Sequence, residues 1–168
     1  LKRDIPVRLF RNHAGVRLYE DLLTEHALEW VIIDESTQIK SDASQSFDCH
    51  VNISRGAKRR NILSGSPNPN GFEDLWSQFF FLDGGLTLEV CKQDYLAEYF
   101  YYKVQGKRDA PGARHGRVFG EYVLRPDKAQ ALIDSIRSVS ICLEQKDCVD
   151  LPERTDLRRS VHMTPRQS

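Results

Sequence analysis

The sequence lacks two features that define large classes of proteins: a long apolar run and an excess of charge of one sign. No apolar run approaches the roughly 18 residues that a membrane-spanning helix needs, so we expect no membrane partner. Lysine and arginine total 24, and aspartate and glutamate also total 24. No overall positive field therefore attracts nucleic acid, and contact with it has to come from local patches. With 168 residues, 40% of them hydrophobic, the chain can form one core of ordinary size.

Cysteine is scarce and irregularly spaced. None of the cysteines forms a Cys-x-x-Cys pair, which argues against a zinc site or a redox motif. We expect free thiols in a reducing cytoplasm. The four residues are Cys49, Cys91, Cys142 and Cys148.

A phosphate-binding loop of the Gly-x-x-x-x-Gly-Lys-Ser/Thr type is also missing. The sequence has one Gly-Lys pair, Gly106–Lys107, but Tyr101 stands at the first glycine position and Arg108 at the hydroxyl position. The pattern therefore fails at both ends, and this chain supplies no such loop for nucleotide phosphates.

What the sequence does have is an apolar segment that ends in two acids. Trp30–Ile33 reads as a buried strand, and Asp34 and Glu35 follow it directly. In open α/β sheets, ligands bind at the carboxyl ends of parallel strands. An aspartate there can hold a hydrated Mg²⁺, and a neighbouring glutamate can polarise a water molecule. The plainer interpretation is a strand that leaves the core and enters a solvated turn.

A second strand is predicted about 30 residues downstream, where Arg60–Leu63 runs into a turn-forming segment with Gly65, Pro67 and Pro69. Glycine allows close backbone approach, and proline ends the hydrogen-bond ladder. A plain Gly/Pro turn would explain this segment equally well in isolation.

The segment between the two strands predicts a helix over Ser44–Ser54, with Phe47 and Val51 on its inner face. Strand, helix and strand with short connections form a right-handed crossover, which makes the strands parallel. Ser64 and Ser66 would then lie at the same sheet edge as the acidic pair.

These segments resemble motifs of one enzyme family. Asp34–Thr37 (Asp-Glu-Ser-Thr) is similar to the DExx box of superfamily-two helicases and translocases, and Leu63–Pro67 (Leu-Ser-Gly-Ser-Pro) is similar to their motif III. The continuation Ser66–Asn70, followed by Glu73–Trp76, resembles the Swi/Snf-type branch. Thr37 stands where the DEAH subgroup has histidine, which favours a Swi/Snf-like motor.

Two further segments resemble phage-type members of the DEAD/DEAH superfamily, Asn12–Val16 and Asp150–Arg154. The resemblance implies an α/β fold, namely a partial RecA-like (P-loop NTPase) domain with a parallel sheet flanked by helices. It implies that residues 1–150 form the C-terminal part of the first RecA-like domain. Residues 151–168 would begin the linker toward a second RecA-like domain, and the phosphate loop would precede Leu1.

The resemblance also implies roles for single residues. Asp34 would bind Mg²⁺ through water, and Glu35 would orient or deprotonate the water that attacks ATP. Ser64, Gly65 and Ser66 would form the coupling motif, with the two serines hydrogen-bonding toward the acidic motif and the facing domain.

Less specific matches suggest contacts with double-stranded DNA. Asn70 would help place its loop against the duplex, and Lys107 and Arg108 lie in a cationic stretch, Lys103–Arg117, that fits a basic loop touching phosphates. A solvated surface insertion is the plainer interpretation of that stretch. The parent protein is thus expected to be an ATP-driven motor in the cytoplasm of a bacterial or phage-infected cell.

Two other classes stay open. One is a nucleic-acid or protein-binding α/β module that hydrolyses nothing. The other is a metal-dependent nuclease or phosphatase using Asp34 and Glu35, which would need further carboxylates or histidines nearby.

Elsewhere the spacing of apolar residues predicts several further elements. They are helices over Gly15–His26, Phe72–Phe80, Lys92–Tyr102 and from Pro126 onward, and a late strand carrying Val139, Ile141 and Leu143.

Overall fold

The computed structural model describes residue 9 and residues 12–26, 28–108 and 117–143. Two 3₁₀ helices, Ser36–Ile39 and Phe72–Asp74, accompany the other elements. The helices are α1 (His13–Leu18), α2 (Glu20–Glu25), α3 (Gln45–Ser54), α4 (Leu75–Asp83), α5 (Lys92–Tyr99) and α6 (Ala129–Val139), and the strands are β1 (Trp30–Ile33), β2 (Arg59–Ile62), β3 (Phe100–Arg108) and β4 (Arg117–Leu124).

The centre of the fold is the predicted crossover. β1 and β2 pair in parallel, with Trp30 opposite Arg59 and Ile33 opposite Ile62. α3 connects them, and it begins where Ser44 caps it by accepting a hydrogen bond from the Phe47 amide. The α/β class, the crossover and the parallel pairing are therefore confirmed.

One face of this strand pair packs on the hydrophobic core. Ile33, Phe47 and Trp76 belong to one cluster of buried side chains, and the rings of Phe47 and Trp76 lie 6.4 Å apart. α4 is buried on nearly all sides, because even Ser77 and Gln78 are enclosed. This helix lies behind the loops that leave β1 and β2, so its residues are placed to support them.

The opposite face of the strand pair is open. Trp30, Ile32 and Leu63 are each more than half exposed, at 55%, 52% and 54%. Strands of parallel sheets normally have both faces covered. The same face also carries the exposed Arg59 and Asn61, so apolar and polar side chains lie side by side on it.

The second sheet is an antiparallel hairpin of β3 and β4, in which Phe100 pairs with Leu124 and Arg108 pairs with Arg117. The predicted helix over Lys92–Tyr102 was therefore too long, because α5 ends at Tyr99. The aromatic residues after it instead pair with β4. Lys103–Arg108 and Arg117 lie in these strands rather than in a loop, and residues 109–116 lie outside the described part.

Three other predictions needed correction. The helix expected over Gly15–His26 is two short helices separated at Tyr19, whose ψ of 22° departs from helical geometry. The Phe72–Phe80 helix starts as a 3₁₀ turn, and the helix expected from Pro126 begins at Ala129 after a turn.

The late strand was wrong. Val139 ends α6, residues 140–143 have no regular structure, and Ile141 and Leu143 are 89% and 73% exposed. Alternating apolar residues form a strand only beside a partner, and the described residues offer none there. In the described part of the chain, no helix is both long and apolar enough to cross a membrane.

Candidate functional site

The acidic pair lies in an exposed turn directly after β1. Asp34 and Glu35 are both exposed, and Asp34 Oδ1 accepts a hydrogen bond from the Glu35 amide at 2.9 Å. Glu35 has φ 52° and ψ 56°, the left-handed conformation. A residue with a Cβ is strained there, and such strain is common at functional sites. The turn points the two consecutive carboxylates away from the core.

Backbone hydrogen bonds join this turn to the loop after β2. The Leu63 amide donates to Ile33 O at 2.8 Å, and the Ser36 amide donates to Leu63 O at 2.9 Å. The parallel ladder thus continues past the last paired strand residues. As a result, Ser64 leaves the sheet at the same edge as Asp34 and Glu35.

The Ser-Gly-Ser segment forms its own tight turn at this edge. The Ser66 amide donates to Ser64 Oγ at 3.2 Å. Ser64 is half-buried, whereas Gly65 and Ser66 are exposed. The exposed part of this turn is available to another surface.

A buried glutamine that the sequence reasoning missed lies beneath both loops. Gln78 Oε1 accepts from Ser36 Oγ at 2.7 Å, and its Nε2 donates to Pro67 O at 2.6 Å and to Asp74 O at 2.9 Å. The available signal was the polar pair Ser77–Gln78 within a run of aromatic and aliphatic residues. The partner of Gln78, Ser36, is 42 residues away, which no periodicity reveals.

Asn70 lies further along the loop and is engaged within it. Its Nδ2 donates to Asp74 Oδ2 at 3.0 Å, and the same carboxylate lies 3.6 Å from Lys40 Nζ. These contacts hold the turn before α4 against the 3₁₀ helix after β1. Asn70 is nevertheless exposed.

Two histidines lie behind the acidic turn. His13 Nε2 is 3.0 Å from the carbonyl oxygen of Asp34, so that nitrogen is the donor. The His13 and His50 rings are 5.2 Å apart. Burial lowers the pKa of His50 below its ordinary value, against the opposing effect of its hydrogen bond to Ser46 O. A neutral His50 therefore packs beside the residue that anchors the Asp34 backbone.

Lys107 and Arg108 lie on β3, where they pair with Val118 and Arg117. The structure therefore places them on the hairpin, in a different sheet from the acidic turn. Their side chains are outside what the structure describes.

The donor set at the acidic turn fits a hydrated magnesium ion. Mg²⁺ prefers hard oxygen ligands and commonly uses one or two carboxylates together with waters and substrate phosphates. The exposed carboxylate of Asp34 meets that requirement without further protein ligands. Among the described residues, no group of three or more His, Cys, Asp or Glu side chains is arranged to hold a metal.

Comparison with known proteins assigns the chain to a family. The model of the SNF2-related domain matches residues 11–168. The chain belongs to this family. The match confirms the Swi/Snf-like superfamily-two assignment, and the α/β fold with a parallel strand pair is consistent with part of a RecA-like domain.

Curated relatives agree with this assignment over about half of the chain. The DNA repair and recombination protein RAD26 of Saccharomyces cerevisiae is 31% identical over 91 residues, 52% of this chain and 8% of that protein. The mouse DNA excision repair proteins ERCC-6-like and ERCC-6 are 35% and 33% identical over 51% and 52% of the chain, which is 7% and 6% of their lengths. The chain thus spans less than a tenth of these relatives, and no solved structure matches it.

Proposed function

We propose that this chain is part of an ATP-dependent DNA translocase or helicase motor that moves on double-stranded DNA. The observation that carries the proposal is the sheet edge at which the loops after β1 and β2 are hydrogen-bonded to each other. There, an exposed Asp-Glu turn is hydrogen-bonded through its backbone to a Ser-Gly-Ser turn, in a chain of the SNF2-related family. The curated relatives are named for DNA repair, which supports DNA as the partner.

In this proposal the acidic turn carries the chemistry. Asp34 would hold a hydrated Mg²⁺, which neutralises charge on the β- and γ-phosphates of ATP when bound. Glu35 would orient the attacking water and accept its proton. The left-handed conformation of Glu35 and the hydrogen bond from its amide to Asp34 Oδ1 hold the Asp34 carboxylate against the backbone from which the Glu35 side chain projects. Positioning of this kind is most of what phosphoryl transfer requires of a protein.

The Ser-Gly-Ser turn would couple that chemistry to movement. Ser64 and Ser66 would hydrogen-bond toward a second RecA-like domain, so that hydrolysis changes how the two domains close. Asn70, Lys107 and Arg108 would contact the duplex, with the cations binding phosphates.

Other parts of the motor are not found in this sequence. A phosphate loop and a second RecA-like domain would come from elsewhere in the intact protein, so we expect the 168 residues alone to be inactive. We further expect a phage-type member acting in the cytoplasm of a bacterial or phage-infected cell.

The test is Glu35→Gln in the intact protein. We expect ATP turnover with double-stranded DNA to fall by about 10²- to 10⁴-fold, because the water loses its general base, while nucleotide binding is retained. Steady-state ATPase assays and equilibrium nucleotide binding measure the two effects.

Glu89→Gln is the matched control. Glu89 is also an exposed glutamate with positive φ, at 68°, but it lies between α4 and α5. Turnover that survives Glu35→Gln would reject the assignment. An intact protein that binds DNA but shows no ATP turnover would instead favour the non-catalytic binding module.

A further inference from the structure

Gln78 is a fully buried polar residue in the middle of α4. Both Gln78 and Ser36, which donates to it, have 0% exposure. A buried amide is unfavourable unless its hydrogen-bonding groups find partners. Here both ends of the side-chain amide have partners. Its oxygen accepts from one hydroxyl, and its nitrogen donates to two backbone carbonyls.

The three partners belong to three different segments. Ser36 begins the 3₁₀ helix after β1, Pro67 follows the Ser-Gly-Ser turn, and Asp74 precedes α4. The two carbonyl acceptors require the amide nitrogen on their side, so the orientation of the Gln78 amide is fixed by its partners. One rigid planar group therefore connects the loop after β2 with the residue that follows Glu35.

An apolar residue would serve packing alone at this position, because its helix neighbours Leu75, Phe79 and Phe81 are buried and apolar. The polar side chain instead hydrogen-bonds two loops to the helix. A buried network in which every polar group is hydrogen-bonded rigidifies its loops and favours a single arrangement of them.

We propose that Gln78 is a positioning residue that couples the Ser64–Asn70 loop to the Asp34–Ser36 turn. This inference rests on the proposed ATPase function. Displacement of Pro67 by a facing domain is carried through the Gln78 amide to Ser36 Oγ, and so to the backbone that orients Glu35. Gln78 is fully buried and acts through its hydrogen-bond partners, not on the nucleotide itself.

The experiment compares Gln78→Leu, Ser36→Ala and the double variant in the intact protein. Because misplacement of a catalytic group by about 1 Å can cost about a hundredfold, we expect Gln78→Leu to lower the DNA-stimulated kcat by about tenfold or more. The KM for ATP should stay within about twofold, since phosphate binding is not altered. The double variant should be no worse than the more severe single one, because the two side chains act through one hydrogen bond.

Phe81→Leu is the matched control for stability. Phe81 is buried in the same helix. Its truncation loosens the core, but its side chain makes no hydrogen bond to either loop. At equal loss of melting temperature it should keep kcat. An unchanged kcat in Gln78→Leu, an equal loss in Phe81→Leu or additive single effects would each overturn the coupling.

Amide hydrogen exchange separates this inference from the proposed function. In Gln78→Leu, peptides covering residues 34–40 and 64–70 should exchange about tenfold faster, and in Phe81→Leu they should follow the global change only. If the intact protein hydrolyses no ATP, the motor assignment fails. Amide hydrogen exchange alone then tests whether Gln78 couples the two loops. Faster exchange in both loops then supports the mechanical link, and unchanged exchange refutes it.

Discussion

At the scale of single residues, the backbone of Glu35 is the informative feature. In the described part of the chain, Glu35 and Glu89 are the two non-glycine residues with positive φ, at 52° and 68°. For a residue with a Cβ this conformation costs about 1 kcal/mol. The Glu35 strain persists because the Asp34 carboxylate and the continued ladder hold the turn.

Glycine at these two positions tests whether the positive φ is strained. Glu35→Gly should raise the free energy of unfolding by about 0.5 kcal/mol, since relief of about 1 kcal/mol is partly offset by the greater freedom of glycine in the unfolded chain. It should also abolish ATP turnover. Urea denaturation and ATPase assays measure the two effects.

Glu89→Gly provides the comparison, with a similar gain in stability and normal turnover. If Glu35→Gly were destabilising, the turn would be held by the glutamate side chain itself. The idea that the turn is strained at Glu35 would then be wrong.

At the scale of elements, the crossover helix α3 depends on a well-defined start. Ser44 Oγ accepts from the Phe47 amide at 3.1 Å and donates to Ser41 O at 2.7 Å. Capping of this kind satisfies a helix amide that has no partner within the helix. α3 connects β1 to β2 and packs on the 3₁₀ helix Ser36–Ile39, so its start helps to place the acidic turn that precedes that helix.

Removal of the cap should therefore have a measurable cost. We expect Ser44→Ala to lower the free energy of unfolding by about 1 kcal/mol, measured by chemical denaturation. Ser46→Ala, two residues further on, is the control, because the buried Ser46 hydroxyl has no hydrogen-bond partner among the described residues. Equal losses in both variants would show that Ser44 does not act as a cap.

Elements differ in how well the sequence predicts them. The crossover was predictable because each of its strands ends in residues that stop a strand, and because its helix carries a cap and an inward-facing phenylalanine. The end of α5 was not, because Tyr95, Tyr99 and Phe100 continue a helix-like spacing across the point where the chain begins to pair with β4. The late strand failed for the opposite reason, since its pattern found no partner among the described residues.

At the scale of the whole molecule, the open face of the β1–β2 sheet is the feature that needs explanation. Trp30, Ile32 and Leu63 present apolar surface where a parallel sheet is normally covered. We expect further parts of the intact protein to cover this face, as the helices that flank a parallel sheet normally do.

Trp30 reports directly on that expectation. In the 168-residue chain, acrylamide should quench Trp30 strongly, whereas the buried Trp76 is shielded, at 7% exposure. In the intact protein, quenching of Trp30 should fall several-fold. Subtracting the signal of a Trp30→Phe variant isolates its contribution in both proteins. Equal quenching of Trp30 in the two would mean that this sheet face is a true solvent surface.

The sequence by itself determined the parallel strand pair, the acidic pair that follows it and the family, because these depend on local patterns and short spacings. Only the tertiary structure revealed the left-handed turn at Glu35, the contact of His13 with the Asp34 carbonyl and the Gln78 amide between two loops. Each of these depends on which groups meet across the fold. The hydrogen bond between Ser36 and Gln78 cannot be predicted from sequence spacing, because the two residues lie 42 positions apart. Only folding brings their side chains to 2.7 Å.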